Sequence, residues 1–245
     1  MNESDRPNLT RSQVEGITAS GFLGSDTTSP AVRQVFGISG SGKTTWMAEL
    51  VRISLTSPAF SPLFRIVVFD VKNEGYGSLA EPVSDWRGFE RSIKRNRLTV
   101  IHPPDLESAQ GFLDDVIAHL FNLSKRLDDF GATLILEESS TFIRSTPNGV
   151  PPSLKRMATQ GRSMSLSLVL LNQRALSSKW VDTQTNSMVI FRLPIPDLDL
   201  VNRRWGFDMM TVDERLRKER FSYAHFDLES LSINYYQPLQ IQPTP

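Results

Sequence analysis

The stretch that decides the fold is VFGISGSGKTTWMAEL, residues 35–50. Val35 and Phe36 end a short apolar run, Gly37 to Gly42 form a Gly/Ser loop, and from Lys43 the apolar residues recur at helical spacing. This is the pattern G-x-x-x-x-G-K-[ST] in a strand-loop-helix setting. A chain that wraps a triphosphate must aim successive backbone N–H groups at it, and a Cβ would block that path, hence the glycines. The helix opening near Lys43 adds unpaired N–H groups and the positive end of its dipole. The reading makes Gly37, Ser39, Gly40, Ser41, Gly42, Lys43, Thr44 and Thr45 a phosphate cradle. Lys43 reaches the β and γ phosphates of ATP, and Thr44 offers its hydroxyl to Mg²⁺.

Outward from this loop, the chain alternates buried strands with helices. RIVVFD (65–70), LTVIHP (98–103), Thr133–Leu136, SLSLVLLNQR (165–174) and MVIFRL (188–193) are continuous apolar runs closed by turn or polar residues. Such runs read as parallel strands covered on both faces. Helices are expected at Lys43–Leu55, burying Trp46, Met47, Leu50 and Ile53, and at Leu106–Leu127, with Phe112, Val116, Leu120, Leu123 and Leu127 on one face. Further helices are expected over 153–164 and in DLDLVNRRWGF and TVDERLRKER, and RFSYAHFD with LSINYY reads as a terminal β-hairpin. The organisation that follows is a polar arm (1–30), one α/β domain (31–237) and an exposed tail (238–245). The arm is extended, partly ordered on a neighbouring subunit, or disordered.

Composition removes several classes. At 245 residues the chain suffices for one substantial core, and with no cysteine neither disulfides nor thiolate metal sites are available. Three scattered histidines, His102, His119 and His225, make a zinc site a poor fit. The polar, acid-bearing N-terminus is unlike a targeting peptide, and no run of about 18 apolar residues exists to span a membrane. The 27 basic and 27 acidic side chains balance, so any nucleic-acid contact must come from local patches rather than bulk charge.

Transfer of a phosphoryl group to water needs a phosphate cradle, a metal, an oriented water and a charge to offset what builds on the γ phosphate. The strand Thr133–Leu136 delivers two adjacent acids, Glu137 and Glu138, to the sheet edge where the loop lies. Adjacent residues at a strand end point in different directions, so Glu137 can hold the metal through a water while Glu138 orients the attacking water. Asp70, after RIVVFD, is the competing metal ligand. Gln173 ends the next strand, where its amide can sense the γ phosphate or hold the water, or simply cap loop backbone. Arg162 and Arg174 are candidate arginine fingers.

Four elements, GISGSGKTT, FDVKNEGYG, LILEES and GRSMSLSLVLLNQR, together resemble the FtsK–HerA superfamily of DNA-pumping ATPases, and within it the packaging ATPases of membrane-containing icosahedral viruses. They run in the family's order from about residue 33 to 193. The resemblance implies a RecA-like P-loop fold with a mostly parallel central sheet, flanking helices and a C-terminal hairpin. It implies that Lys43 and Thr44 bind nucleotide and Mg²⁺, that Glu137 and Glu138 form the Walker B pair, that Gln173 is the sensor and that Arg162 is the finger acting in trans. Glu137 departs from the family, where many members carry Asp. The bacterial translocases' membrane segments and winged helix, and the archaeal helicase's barrel, are absent from the sequence.

The function so implied is an ATP-driven translocase of double-stranded DNA, working as a homo-oligomeric, hexameric ring that packages a viral genome into a preformed capsid. Capsid-vertex or membrane proteins would be its partners, and the virion vertex or host cytoplasm its location. Lys155, Arg156 and the cluster Arg91–Arg97 are the cations that could track DNA phosphates, contacts that carry no sequence information. A small-molecule or nucleoside kinase is the alternative enzyme, disfavoured because an acid pair before a sensor Gln suits water as acceptor. A GTPase would need an Asn-Lys-x-Asp stretch, which does not occur. A nucleotide-locked assembly protein is the non-enzymatic alternative.

Overall fold

The computed structural model describes residues 20–23, 31–58, 60–73, 75–144, 146, 149–175 and 178–238. Eight strands form one sheet in the order β3-β2-β4-β5-β1-β6-β7-β8. They are β1 (Val32–Phe36), β2 (Phe64–Phe69), β3 (Leu98–Ile101), β4 (Gly131–Leu136), β5 (Leu166–Asn172), β6 (Thr185–Ile190), β7 (Tyr223–Asp227) and β8 (Ser232–Tyr236). β1 to β6 pair in parallel, whereas β7 runs antiparallel to β6 and forms a hairpin with β8. The sheet is therefore mixed and mostly parallel, as the apolar runs predict. Its central strand, β1, leads into the phosphate loop.

Alternation along the strands feeds both faces. Leu134 and Leu136 join one apolar cluster with Phe69, Leu168 and Leu170, while Ile135 joins the other with Val35, Val68 and Leu171. The first face is covered by α3 (Trp86–Arg95), α4 (Leu106–Arg126) and α5 (Pro152–Gln160). The second is covered by α2 (Lys43–Thr56), whose Trp46, Met47, Leu50 and Ile53 are all buried. A third cluster fills the β6–β8 end beneath α7 (Ile195–Trp205) and α8 (Met209–Arg217). Among the described residues there are also two short helices, α1 (Ser20–Leu23) and α6 (Lys179–Gln184).

Several sequence expectations shift. The buried face of α4 is Ala109, Leu113, Val116, Ile117, Leu120 and Phe121, and Leu127 is the helix C-cap, 44% exposed, rather than part of that face. Apart from residues 20–23, the expected arm lies outside the described residues, as does the expected tail beyond 238. Within α1, Phe22 and Leu23 are buried in this chain's own core, Phe22 edge-on to Trp46, and Thr133 Oγ1 donates to the Leu23 carbonyl. The expected 153–164 helix stops at Gly161 and tightens into a 3₁₀ turn, Arg162–Met164, because the chain must re-enter the sheet at Leu166. A Cβ on Gly161 would lie 2.7 Å from the Leu166 carbonyl oxygen. β6 begins earlier than MVIFRL, since Asn186 Oδ1 accepts from Val32 N (3.0 Å) and draws the polar Thr185–Ser187 segment onto β1. α3 was legible only as a cationic stretch. Asp85 caps it by accepting from Gly88 N (2.7 Å), and Phe89 and Ile93, four residues apart, are its buried stripe.

Candidate functional site

The phosphate loop is held between the ends of β5 and β6. Gly37 N donates to the Asn172 carbonyl (3.2 Å), and Ile38 N to the Arg192 carbonyl (2.9 Å). A Cβ on Gly37 would lie 2.6 Å from Ser41 Oγ and 2.7 Å from Phe191 Cβ, so only glycine closes the turn. Gly40 and Gly42 sit at φ +72° and +96°. Lys43, 8% exposed, folds back on the loop and donates to the Gly37 (2.6 Å) and Ile38 (3.1 Å) carbonyls. Burial lowers its pKa from the ordinary lysine value, and Glu137 and Glu138 oppose that shift. Ser41 Oγ is buried with no hydrogen-bond partner, and the first turn of α2 has no side-chain cap. Ser39 and Thr45 are exposed at the rim of the loop.

β4 delivers its two acids to this same edge in different directions. Glu137 N continues the ladder to the Phe69 carbonyl (3.0 Å), and the side chain is buried. Its Oε1 accepts from the Tyr76 hydroxyl (2.7 Å), and its Oε2 lies 3.5 Å from Thr44 Oγ1. Glu138 has φ +51°, which turns the chain out of the strand and into a 3₁₀ turn, Ser139–Thr141. Its Oε1 accepts from Gln173 Nε2 (2.7 Å) and from Lys72 Nζ (2.8 Å). Asn172 Oδ1 accepts from Ser140 N (2.8 Å), tying the end of β5 to the acidic turn. The structure thus brings together Lys43, Thr44, Glu137, Glu138 and Gln173.

Burial raises the Glu137 carboxyl to about 7, with Asp70 and Glu138 pushing the same way and the Tyr76 hydrogen bond and Lys43 pulling it down. Tyr76 is fully buried, and its own pKa lies well above the ordinary tyrosine value through burial first and Glu137 second. Asp70, the competing metal ligand, turns its Oδ1 to the backbone of its own loop, accepting from Lys72 N (3.1 Å) and Asn73 N (2.9 Å).

The two arginines part company. Arg174 follows β5 at the phosphate-loop edge, but its Nε and Nη2 make a fork to Asp197 at 2.7 and 2.8 Å, and Asp197 is fully buried. Arg162 is exposed in the turn that precedes β5, so it lies at the opposite edge of the sheet from its own chain's loop. In the sequence, Lys72, Gly75 and Tyr76 stand only within the element FDVKNEGYG, with no individual role. A Cβ on Gly75 would collide with Thr44 Cγ2, so this glycine lets the loop after β2 press on Thr44.

The sequence matches no protein-family model and no curated protein. Among solved structures, the chain is similar to the genome-packaging NTPase B204 from Sulfolobus turreted icosahedral virus 2 in complex with ATP-γS. The TM-score is 0.64 at 16% identity, covering 85% of this chain and 97% of that one. The DNA-packaging ATPase B204 from Sulfolobus turreted icosahedral virus gives a TM-score of 0.66 at 14% identity over 86% and 99% of the two chains. The chain has the fold of these RecA-like P-loop ATPases. A further structure with this P-loop fold is the cytoplasmic domain of the type VII secretion ATPase EccC from Thermomonospora curvata. Its TM-score is 0.57 at 15% identity, covering 86% of this chain and 25% of that one.

The residues fit Mg²⁺ with a nucleotide. Thr44 Oγ1 and Glu137 Oε2 are hard oxygen donors 3.5 Å apart at the mouth of the phosphate loop. No group of three or more His, Cys, Asp or Glu that could hold a metal occurs among the described residues.

Proposed function

We propose that the protein is an ATP-driven translocase of double-stranded DNA that packages a viral genome into a preformed capsid. On this reading ATP is hydrolysed at the subunit interfaces of a homo-oligomeric, hexameric ring seated at a capsid vertex. One observation carries it: Glu138, held by Gln173, stands with Glu137 beside Lys43 and Thr44, on a fold shared with a viral genome-packaging ATPase.

Each residue has a task in that reaction. Lys43 exchanges the Gly37 and Ile38 carbonyls for phosphate oxygens. Thr44 and Glu137 would hold Mg²⁺, whose charge offsets that of the phosphates. Glu138, paired with Lys72, accepts a proton from the attacking water, and Gln173 fixes the direction of its side chain. The acid pair Glu137 and Glu138 beside Gln173 favours water over a kinase's acceptor.

Arg162 serves as the finger, and its position at the far edge of the sheet lets it act only on a neighbouring subunit's nucleotide. Of the cations proposed to track DNA, Arg91, Lys94, Arg95 and Arg156 are exposed. Arg97 instead donates to carbonyls of its own chain, Leu55 at 3.1 Å and Ser54 and Phe60 at 3.5 Å, so it belongs to the fold. No helix among the described residues is long and apolar enough to cross a membrane.

The test is ATP turnover with and without double-stranded DNA of mixed sequence. Stimulation by DNA, independent of sequence and lost at high salt, is expected. Turnover that ignores DNA and needs a small phosphate acceptor would make the protein a kinase.

A further inference from the structure

The hydrolytic groups occupy only one flank of the phosphate loop, the β5 and β4 side. On the other flank, toward β6 and β7, lies a cavity of about 210 Å³ lined by Ile38, Ser41, Arg192, Leu216, Arg220 and Phe221 among others. None of the steps assigned above uses it. It is smaller than the roughly 300–1,000 Å³ of a whole small-molecule site, the scale of one part of a ligand rather than all of it.

Phe221 gives the cavity its character. Its backbone is left-handed, φ +67°, a conformation rarely tolerated by a bulky residue, and its ring is 41% exposed. The next two residues enforce this. Ser222 Oγ donates to the Leu216 (3.1 Å) and Glu219 (2.8 Å) carbonyls, and Tyr223 is fully buried, stacked on Tyr236 and edge-on to Trp46. A strained, solvent-facing aromatic is thus fixed by the anchored residues that follow it. Its ring reaches the phosphate loop itself, since a Cβ on Gly42 would lie 3.2 Å from Phe221 Cδ1. The Arg220 guanidinium sits 4.6 Å from the ring centroid.

We propose that this cavity takes the heterocyclic base of the nucleotide, with Phe221 as the face on which the base stacks. The proposal rests on the phosphate loop's binding a nucleoside triphosphate, and it adds where the base goes. With the γ phosphate drawn toward Glu137 and Glu138, the base and ribose must leave by the opposite flank. What waits there is an aromatic face with a guanidinium beside it and aliphatic walls from Ile38 and Leu216, the chemistry that holds a flat π-system. Stacking of this kind tolerates any base, because each has a π-face.

The experiment compares Mg-ATP with inorganic tripolyphosphate, which carries the phosphates and no base, by calorimetric titration of the full chain. Phe221→Ala is expected to weaken ATP about 5- to 100-fold, the scale of one lost base–aromatic stack. Tripolyphosphate affinity should stay within about twofold, and Phe221→Trp should restore ATP binding. Phe221→Gly, which relieves the left-handed backbone, should lose ATP affinity while its melting temperature does not fall. Equal weakening of both ligands by Phe221→Ala would make the ring a mere prop for the loop and overturn the base site, as would an unchanged ATP affinity. Failure of the wild-type chain to bind either ligand would instead remove the nucleotide reading itself, and the base site with it.

Discussion

Tyr76 donates its hydroxyl hydrogen to Glu137 Oε1 at 2.7 Å, across 61 residues of sequence and with both side chains buried. The tyrosine fixes which carboxylate oxygen remains for Thr44 and the metal. Tyr76→Phe should therefore weaken the Mg²⁺ dependence of hydrolysis about 10- to 100-fold, the usual effect of removing a group that orients a metal ligand. Binding of nucleotide without Mg²⁺ should hardly change. A Mg²⁺ titration of turnover, beside metal-free nucleotide binding, checks both halves.

The acidity of Glu137 sets two opposite pH dependences. Burial first, then Asp70 and Glu138, lift its carboxyl from 4.5 to about 7. The folded chain thus holds this proton more tightly than the unfolded one, and between about pH 4.5 and 7 the ligand-free protein loses stability as pH rises. Coordination by Glu137 needs the carboxylate, so affinity for Mg-nucleotide should rise through that same region. Titration near pH 7 in buffers of differing ionisation enthalpy should reveal about half a proton released per binding event, falling toward none by about pH 8.5. Binding without proton release at pH 7 would count against Glu137 as the ligand.

The two strand-end acids should separate cleanly from Asp70. Glu138→Gln removes the proton acceptor, and turnover should drop about 10²- to 10⁴-fold with ATP still bound. Asp70→Asn keeps an oxygen able to accept from Lys72 N and Asn73 N, so hydrolysis should largely persist. Single-turnover hydrolysis beside equilibrium ATP binding reads the difference. The reverse pattern would move the metal to Asp70.

Arg162 and Arg174 differ in a way that mixing can expose. Combining Arg162→Ala subunits with Lys43→Ala subunits should recover part of the activity, because intact loops and intact fingers then meet across interfaces. Arg174→Ala strips the charged partner from buried Asp197 and leaves it the Ala175 N–H, so its main effect should be a lower melting temperature, and mixing should not rescue it. Rescue of Arg174→Ala alone would reverse the assignment.

How much of this was legible in the sequence follows from the range of each interaction. Parallel strands buried on both faces are mostly apolar, so β2, β3, β4 and β5 stood out, whereas β1 buries Arg33 and Gln34 and showed only its Val35–Phe36 end; the glycines at 37, 40 and 42 marked the loop because its backbone admits little else. α3 escaped because only Phe89 and Ile93 are buried along it and Gly88 sits in its first turn. The roles of Lys72 and Tyr76 escaped for a different reason. Their partners, Glu138 and Glu137, are 66 and 61 residues away, and nothing local in VKNEGYG says which side chains turn inward. Arg174 likewise reads as a free finger candidate until α7 folds Asp197 beneath it.

Movement of DNA itself is the most direct measure of the central claim. A short third strand bound to a duplex should be displaced by the wild-type protein in the presence of Mg-ATP, and not by Glu138→Gln, which still binds ATP. Displacement that proceeds equally without hydrolysis, or rapid ATP turnover that never dislodges the third strand, would contradict the account.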